Sequence, residues 1–545
     1  MNFSTLDYII FIAYIIGIVS LGLFISRTKK GHEKDSKDYF LAGNKLTWWA
    51  IGASLIAANI SAEQIIGMSG SGFAVGLAIA SYEWMAALTL IIVGKYFLPI
   101  FIEKKIYTIP EYIEQRYNTN LKTILAIFWI FLFIFVNLTS VLFLGAKALD
   151  TIMGTGDGSM IITFIIILGS IAAAYSLYGG LSAVAWTDII QVILLVVGGV
   201  IATVIALNYV TPEGGVFAGL SHIYDKAGDK FHMILEKGHP EFDNLPGIAV
   251  LIGGMWIANL YYWGFNQYII QRTLAAKSLR ESQKGIVFAA FLKLIIPLIV
   301  VIPGIIAYVL YAQPEGTAVI EGVRDSFTKA DGGINYDKAY PWLISTFVPI
   351  GLKGVVVAAL TAAIVSSLAS MLNSTSTIFT MDIYKPYIGK DKSEKRLVRV
   401  GRISAAVALV IAGFVAPLLR SVPQAFQYIQ EYTGLVSPGI LAVAMLGLFW
   451  KKTTTRGAIW GAILSIPVAL FLKLDFIQLP FLDQMLYTFL ISIVIIAMVS
   501  LTTSEVDDDS QGISLTSKMF KTDSSFNIGA YLVVIILAVL YTVFW

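Results

Sequence analysis

Asn59, Ser61, Glu63 and Gln64 put an amide, a hydroxyl, a carboxylate and a second amide within six residues of an apolar run from about Trp48 to Gly72. That run is long enough to cross a bilayer. A single charge at the centre of a lipid-facing helix costs on the order of 2.5–3.5 kcal/mol, so this cluster faces protein, water or a solute. Gly67, Gly70 and Gly72 follow it. Interrupted spans of this kind unwind and offer free backbone carbonyls to a cation, so the stretch reads as half of an ion and solute site. A second interrupted segment follows Gly253-Gly254, with Asn259, Tyr261, Tyr262, Trp263, Asn266 and Gln267. In a third, Ser366, Ser370, Asn373 and Thr377 recur at spacings of four, three and four, one helical face. Hydroxyls are ordinary glue between membrane helices, the better reading for Ser370 and Ser374. The adjacent Ser366-Ser367 points two hydroxyls around one turn. With free carbonyls near Ala57 and Ile60 they would complete an all-oxygen cage without a carboxylate. Sodium suits such a cage, whereas a proton would want a titrating group.

Charged and aromatic residues within the apolar runs extend this reading. Glu83 stands near the outer end of its helix, where a solvated interfacial carboxylate is an equal alternative. Lys293 is the lone charge of its helix; it either snorkels to the surface or lines a cavity. Asn259, Gln64 and Gln430 add amides, and Tyr262 and Trp263 add flat rings, although such a pair also anchors helices in lipid. Together these groups match a neutral polyhydroxylated solute, whose hydroxyls need both donors and acceptors. An amino-acid solute would instead bring its carboxylate to a helix end. Asp188, after Tyr178-Gly179-Gly180, is either a charge meeting the helix dipole or a way-station for a cation moving inward.

These residues are carried by a chain of 545 residues that is 57% hydrophobic and only 13% charged. Soluble domains carry nearer a quarter charged residues, so this is an all-α integral membrane protein read as one domain. It has no cysteine and four histidines, all in loops, which excludes disulfides and His- or Cys-based metal sites in the membrane. The first apolar run, Tyr8 to Ile25, is preceded by Asp7 and followed by Arg27, Lys29 and Lys30, the pattern of a span rather than a cleaved leader. No Gly-rich phosphate loop ending in Lys-Ser/Thr is present, so ATP-driven pumping has no support. Glu63, Glu83 and Lys293 form no nucleophile–base pair, so the chain does not read as an enzyme. The basic run Lys385–Arg402 is topological and has no nucleic-acid context. The sequons at Asn137 and Asn373 fall within spans.

Apolar windows predict about fourteen transmembrane helices. They fall near 7–26, 47–72, 78–102, 122–151, 159–180, 184–207, 248–268, 286–311, 351–382, 400–420, 424–450, 457–473, 482–502 and 526–544. Basic residues cluster after the first, third, seventh, ninth and eleventh, including Arg272, Lys277, Arg280 and Lys284, which places those loops in the cytoplasm and both termini outside it. The acidic run Glu505 to Asp509 is the exception. The two polar-broken spans are five helices apart and so run in opposite directions, as inverted repeats require. The expected division is 7–26 as an extra N-terminal helix, 47–207 and 248–450 as two five-helix repeats with discontinuous first helices, and 457–544 as extra helices.

The text Tyr39 to Gly43, Gly52 to Gln64, Trp186-Thr187-Asp188, Asn259 to Gln267, Ala363 to Ser374 and Phe426 to Gly434 resembles the sodium/solute symporter family. The resemblance runs from about residue 39 to the end. It implies a LeuT-type core in the inner cell membrane and sodium as the coupling ion, with no organic cofactor. Sodium would sit on carbonyls of Ala57, Ile60 and Ala363 and hydroxyls of Ser366 and Ser367, with Asp188 on its exit path. A galactose- or glucose-like hexose would meet Gln64, Glu83, Asn259, Lys293 and Gln430, over Tyr262 and Trp263 as the inner gate. Met68, Tyr82 and Phe426 would close the outer side. Where sugar-carrying members place a serine among the contacts, this chain has Ala86, which removes one partner for a sugar hydroxyl and bears on epimer preference. The outer loops 208–247 and 312–340 carry no match. A sodium symporter of another solute, or an uncoupled sugar sensor or channel, uses similar residues and stays open. So does a homo-oligomeric state. Sodium, a small sugar and the bilayer are the expected partners, and nucleic acid is not.

Overall fold

The computed structural model describes residues 3–25, 45–106, 108–154, 156–211, 214–313, 322–329, 332–421, 425–474, 477–503 and 512–545. The motif at 39–43, the basic stretch after Ile25 and the acidic run at 505–509 lie outside them. Among the described residues the chain is helical throughout, with isolated bridges in place of strands. In chain order the elements that matter are α1 (Thr5–Ile25), α2 (Trp48–Asn59), α3 (Glu63–Ala74), α4 (Leu77–Glu103), α5 (Thr119–Met153) and α6 (Ile161–Val210). They continue as α7 (Gly254–Phe265), α8 (Gln267–Leu274), α9 (Leu279–Tyr311), α10 (Leu352–Tyr387), α11 (Glu394–Arg420), α12 (Ala425–Gly434) and α13 (Ser437–Phe449). Three further helices, α14 (Thr455–Leu472), α15 (Phe481–Thr502) and α16 (Ser524–Val543), close the chain.

Among the described residues, ten helical stretches are long and apolar enough to cross a membrane, and two bent pairs raise this to as many as twelve, against the fourteen expected. The pairs are α2 with α3, bent by 63°, and α12 with α13, bent by 51°. The span expected over 248–268 instead divides at Asn266 and continues as helix to Leu274, and neither piece crosses a bilayer alone. The two spans expected over 159–180 and 184–207 appear as one helically bonded run. Its neighbours show that it doubles back. Leu168 meets Ile364 beside Gly145, and Ser176 donates to the Ala369 carbonyl. Further along, Asp188 bonds Ser366 and Gly198 packs on Ala359, so contacts climb α10 and then descend it. On a straight helix Leu168 and Gly198 would stand about 45 Å apart, whereas Ile364 and Ala359 are within roughly 8 Å of one another. The chain therefore reverses between Ser176 and Asp188.

Close helix approach depends on residues without side chains. A Cβ on Gly52 would lie 2.5 Å from the Phe288 ring and 2.8 Å from the Gly285 carbonyl, so α2 and α9 meet backbone to backbone there. The start of α10 is fixed differently. Gly351 has φ +85°, ending the preceding turn, and the Asp7 carboxylate of α1 accepts from the N–H groups of Gly351 and Gly354, both at 2.8 Å. Its other oxygen accepts from the Ser4 amide and hydroxyl. Asp7 is fully buried, so α1 supplies the cap for the helix that carries Ser366 and Ser367.

Asp7→Ala is expected to destabilise the purified protein by roughly 0.5–2 kcal/mol, the range for a lost helix cap. It is read as a lower thermal midpoint in detergent, with Asp7→Asn falling less because an acceptor oxygen remains. An unchanged midpoint in Asp7→Ala would contradict the cap.

Candidate functional site

The end of α2 is the natural starting point. At Ile60 the backbone turns extended, with φ −77° and ψ 97°, and helix resumes at Glu63. The Ser61 N–H, which would have bonded the Ala57 carbonyl had α2 continued, goes instead to Gln64 Oε1 at 3.2 Å. Ser61 Oγ in turn accepts from the Glu63 amide. Gln64 thus reaches back to the N-cap amide as in a Ser-x-x-Gln capping box, while the Ser61 hydroxyl caps the Glu63 amide one position earlier than the box requires. It gives Gln64 a second duty: its carbonyl oxygen caps α3 while the side chain lines a cavity.

That cavity is walled by Asn59, Glu63, Gln64, Tyr82, Glu83 and Ala86 on one side. Asn259, Tyr262, Trp263, Lys293, Phe426 and Gln430 also line it, with Asn137, Asn266, Ser437 and Met485 among the remainder. Its lining is drawn from α2, α3, α4, α7, α9 and α12, with further residues from α5, α13, α15 and the Asn266 break. At Asn266 the backbone is extended as at Ile60, with φ −85° and ψ 119°. Inside, Lys293 Nζ donates to Glu83 Oε2 at 2.5 Å and to Asn59 Oδ1. Asn59 Nδ2 donates to Tyr262 Oη at 3.0 Å, and Tyr262 and Tyr268 share a 2.5 Å hydroxyl contact. The ammonium also sits 5.1 Å from the Trp263 ring centre, a cation–π distance. Asn259 spends its amide nitrogen on the Met255 carbonyl, leaving its oxygen. Glu63 Oε1 and Asn266 Oδ1 are buried without a hydrogen-bond partner. Tyr82 and Phe426, both in the lining, meet edge to face at 5.0 Å.

The alternatives left open by the sequence are thereby decided for two residues. Lys293 does not snorkel and Glu83 is not interfacial: their side chains are 1% and 4% exposed, paired to each other. Met68 is buried on α3 next to Gly67, which packs on Phe426, but it does not line the cavity.

The residues expected to hold a cation lie behind Asn59. Ser367 Oγ is 2.9 Å from the Ala58 carbonyl and 3.4 Å from that of Ala57, so α10 meets the carbonyls released where α2 ends. Ala57, Ile60, Ala363, Ser366 and Ser367 are all buried. Ser366 donates to Asp188 Oδ1 at 2.5 Å, and Asp188 is buried against α10.

The sequence placed Arg272 in a basic cytoplasmic loop, and this is corrected: Arg272 lies in α8 with its side chain fully buried. It reaches Ser54 on α2, Asp188 on α6 and Ser370 on α10. Ser370 and its neighbour Ser374 serve as the expected glue, Ser374 donating to Gln271 on α8.

Removing one partner of a buried ion pair leaves the other uncompensated, at a cost of about 3–5 kcal/mol. Lys293→Met is therefore expected to lower the thermal midpoint sharply, and adding Glu83→Gln is expected to restore most of it. The pairing is disproved if the double variant is no more stable than Lys293→Met.

Comparison with known proteins follows from this geometry. Residues 39–465 match the model of the sodium:solute symporter family. The chain is 63% identical over 542 residues to a protein of Vibrio parahaemolyticus named sodium/glucose cotransporter, covering 99% of this chain and 98% of that one. It is 33% identical to the human sodium/myo-inositol cotransporter 2, over 88% of this chain and 71% of that one. A solved Na+-coupled sialic acid symporter in a substrate-bound outward-open state superposes with a TM-score of 0.78 at 24% identity, covering 92% of this chain and 99% of that one, which shows a common fold. With the two broken helices, the paired charges in the cavity and a family match across most of its length, this chain belongs to the sodium:solute symporter family.

Proposed function

We propose that this chain carries a neutral hexose of the galactose or glucose type into the cell together with sodium, by alternating access through the inner membrane. The observation that carries the reading is one juxtaposition. A cavity of amides, one ammonium–carboxylate pair and aromatic rings shares Asn59 and its helix end with the contact between Ser367 and the carbonyls of Ala57 and Ala58. A polyol needs the donors and acceptors of the first, and a small cation needs the neutral oxygens of the second. The 63% identical relative bears the name of a sodium/glucose cotransporter, which supports the same reading.

In this proposal sodium rests on carbonyls of Ala57, Ile60 and Ala363 and on Ser366 and Ser367. Sugar rests on Gln64, Glu83, Asn259, Lys293 and Gln430. Tyr262 and Trp263 form the inner gate, and Met68, Tyr82 and Phe426 close the outer side. Asp188 stands on the sodium route inward. The fourteen spans, the two inverted five-helix repeats and the outside placement of both termini belong to the same proposal. The matched extended breaks at Ile60 and Asn266 support the repeats. Sodium entry is driven by its gradient plus roughly 2.3 kcal/mol per 100 mV of membrane potential. Binding of sodium raises sugar affinity and, by linkage, sugar raises sodium affinity by the same factor.

The test is uptake of labelled galactose and glucose into proteoliposomes with and without an inward sodium gradient. Concentrative uptake only with the gradient is expected; a sensor accumulates nothing and a channel cannot concentrate sugar. Ser366→Ala and Ser367→Ala are expected to abolish sodium-stimulated uptake in protein that still inserts, and undiminished stimulation would count against the cation site. Tyr262→Phe keeps the ring and is expected to retain more uptake than Tyr262→Ala. Ala86 lines the cavity with a methyl group. Ala86→Ser is expected to change the ratio of galactose to glucose KM by about fivefold, the worth of one hydrogen bond near 1 kcal/mol. An unaltered ratio would remove Ala86 from the specificity argument.

A further inference from the structure

A hydroxyl that must coordinate a cation has to turn its proton away, and in Ser366 that proton has one destination. Ser366 Oγ donates to Asp188 Oδ1 at 2.5 Å, so its lone pairs are left for whatever lies on the other side. Asp188 is therefore what sets the direction of this hydroxyl. Its second oxygen accepts from Ser54 Oγ at 2.5 Å and lies 3.4 Å from Arg272 Nη2. A buried carboxylate with no countercharge is costly, and Arg272 supplies the countercharge from a position with no solvent exposure.

The guanidinium does more than neutralise. Its Nε donates to the Ser54 carbonyl at 3.0 Å and to Ser54 Oγ at 2.7 Å. One terminal nitrogen donates to the Tyr268 carbonyl and the other to Ser370 Oγ. Ser370 then donates its own proton to the Ser366 carbonyl at 2.7 Å. Arg272 thus fixes Ser366 from two directions: through Asp188 at its hydroxyl and through Ser370 at its backbone. It also joins α2, just ahead of the carbonyls of Ala57 and Ala58, to α6, α8 and α10. A lysine could not do this, because an ammonium lacks the planar fork that serves three directions at once. The Tyr268 that accepts from Arg272 does so through its backbone carbonyl, whereas its hydroxyl bonds Tyr262 in the cavity wall, so Arg272 itself stays on the cation side.

We propose that Arg272 is a positioning residue for the cation site, holding Asp188 and Ser370 so that the Ser366 hydroxyl presents its lone pairs to sodium. The inference rests on the sodium-coupled reading above. It is the orienting role that outer-shell partners play around metal ligands, where their loss typically costs 10–100-fold in affinity.

The experiment uses the full-length protein in proteoliposomes. It measures the sodium concentration for half-maximal galactose uptake, and separately the galactose KM at saturating sodium, for wild type, Arg272→Lys, Arg272→Gln and Arg272→Gln with Asp188→Asn. Arg272→Gln is expected to raise the half-maximal sodium concentration tenfold or more while the galactose KM at saturating sodium stays within about twofold, the low end of that outer-shell range. Arg272→Lys is expected to fall between. The double variant removes both charges but keeps an acceptor for Ser366, so it is expected to recover part of the sodium affinity. Should Arg272→Gln fail to insert, Arg272→Lys and the double variant carry the test. If these variants lose only protein yield and maximal rate, with sodium dependence unchanged, Arg272 is a staple and the inference is overturned. A wild type that ignores sodium would overturn the transport reading and this inference with it, whereas a sodium-stimulated wild type with unaltered variants overturns the inference alone.

Discussion

A bilayer core offers no water to a broken backbone, so every interruption of a membrane helix must be answered by groups from the same chain. The site depends on this constraint. Where α2 stops, the Ser61 amide is taken by Gln64 and the Glu63 amide by Ser61 Oγ. The Ala58 carbonyl meets Ser367 from α10, a residue more than three hundred positions away in sequence. The groups available to a solute or a cation are those that the break releases and that α10 and the capping box leave only partly occupied. Binding chemistry and fold stability are therefore drawn from one small set of atoms.

Two buried ion pairs flank that set, and both join distant parts of the chain. Glu83 with Lys293 faces the cavity, and Asp188 with Arg272 lies behind the serines of α10. Between them run Asn59, Tyr262 and Tyr268, each hydrogen-bonded to the next. An isolated buried charge would be strongly destabilising, but a pair whose remaining valences are filled can be retained where it fixes a unique arrangement. Here one pair joins α4 to α9 and the other joins α6 to α8, and the Asp188–Arg272 pair is filled out by Ser54, Ser366 and Ser370.

How much of this was legible in the sequence follows from what local pattern can report. The breaks near Asn59 and Asn266 stood out because amides interrupt apolar runs, and Lys293 because it is a single charge in an otherwise apolar helix. Arg272 did not stand out. It ends an amphipathic stretch and is followed by Lys277 and Arg280, so the rule that gathers basic residues into cytoplasmic loops absorbs it. Only its contact with Asp188, 84 positions earlier, reveals its place. The Ser-x-x-Gln signature at Ser61 was present as text, yet Gln64 invited a solute-binding reading that left its capping role unread. Hydropathy divides α6 into two apolar runs, whereas helical hydrogen bonding runs from Ile161 to Val210 without a gap, which no hydropathy window can anticipate.

The proposed sodium cage holds no carboxylate. Asp188 reaches the cage only through the Ser366 hydroxyl, and its charge is matched by Arg272, so the ligands themselves are neutral dipoles. A site of this kind binds a monovalent cation with modest strength, because it has no net charge to set against the cost of stripping the ion of water. In the proposed cage the same neutrality would let sodium bring its own charge into the carrier, so that the membrane potential would act on the loaded form. A cage holding a free carboxylate would invert that arrangement: the empty carrier would bear the charge, and the potential would act on its return. In the proposed cycle, matching Asp188 with Arg272 rather than with the ion would leave the sodium charge for the membrane potential to act on.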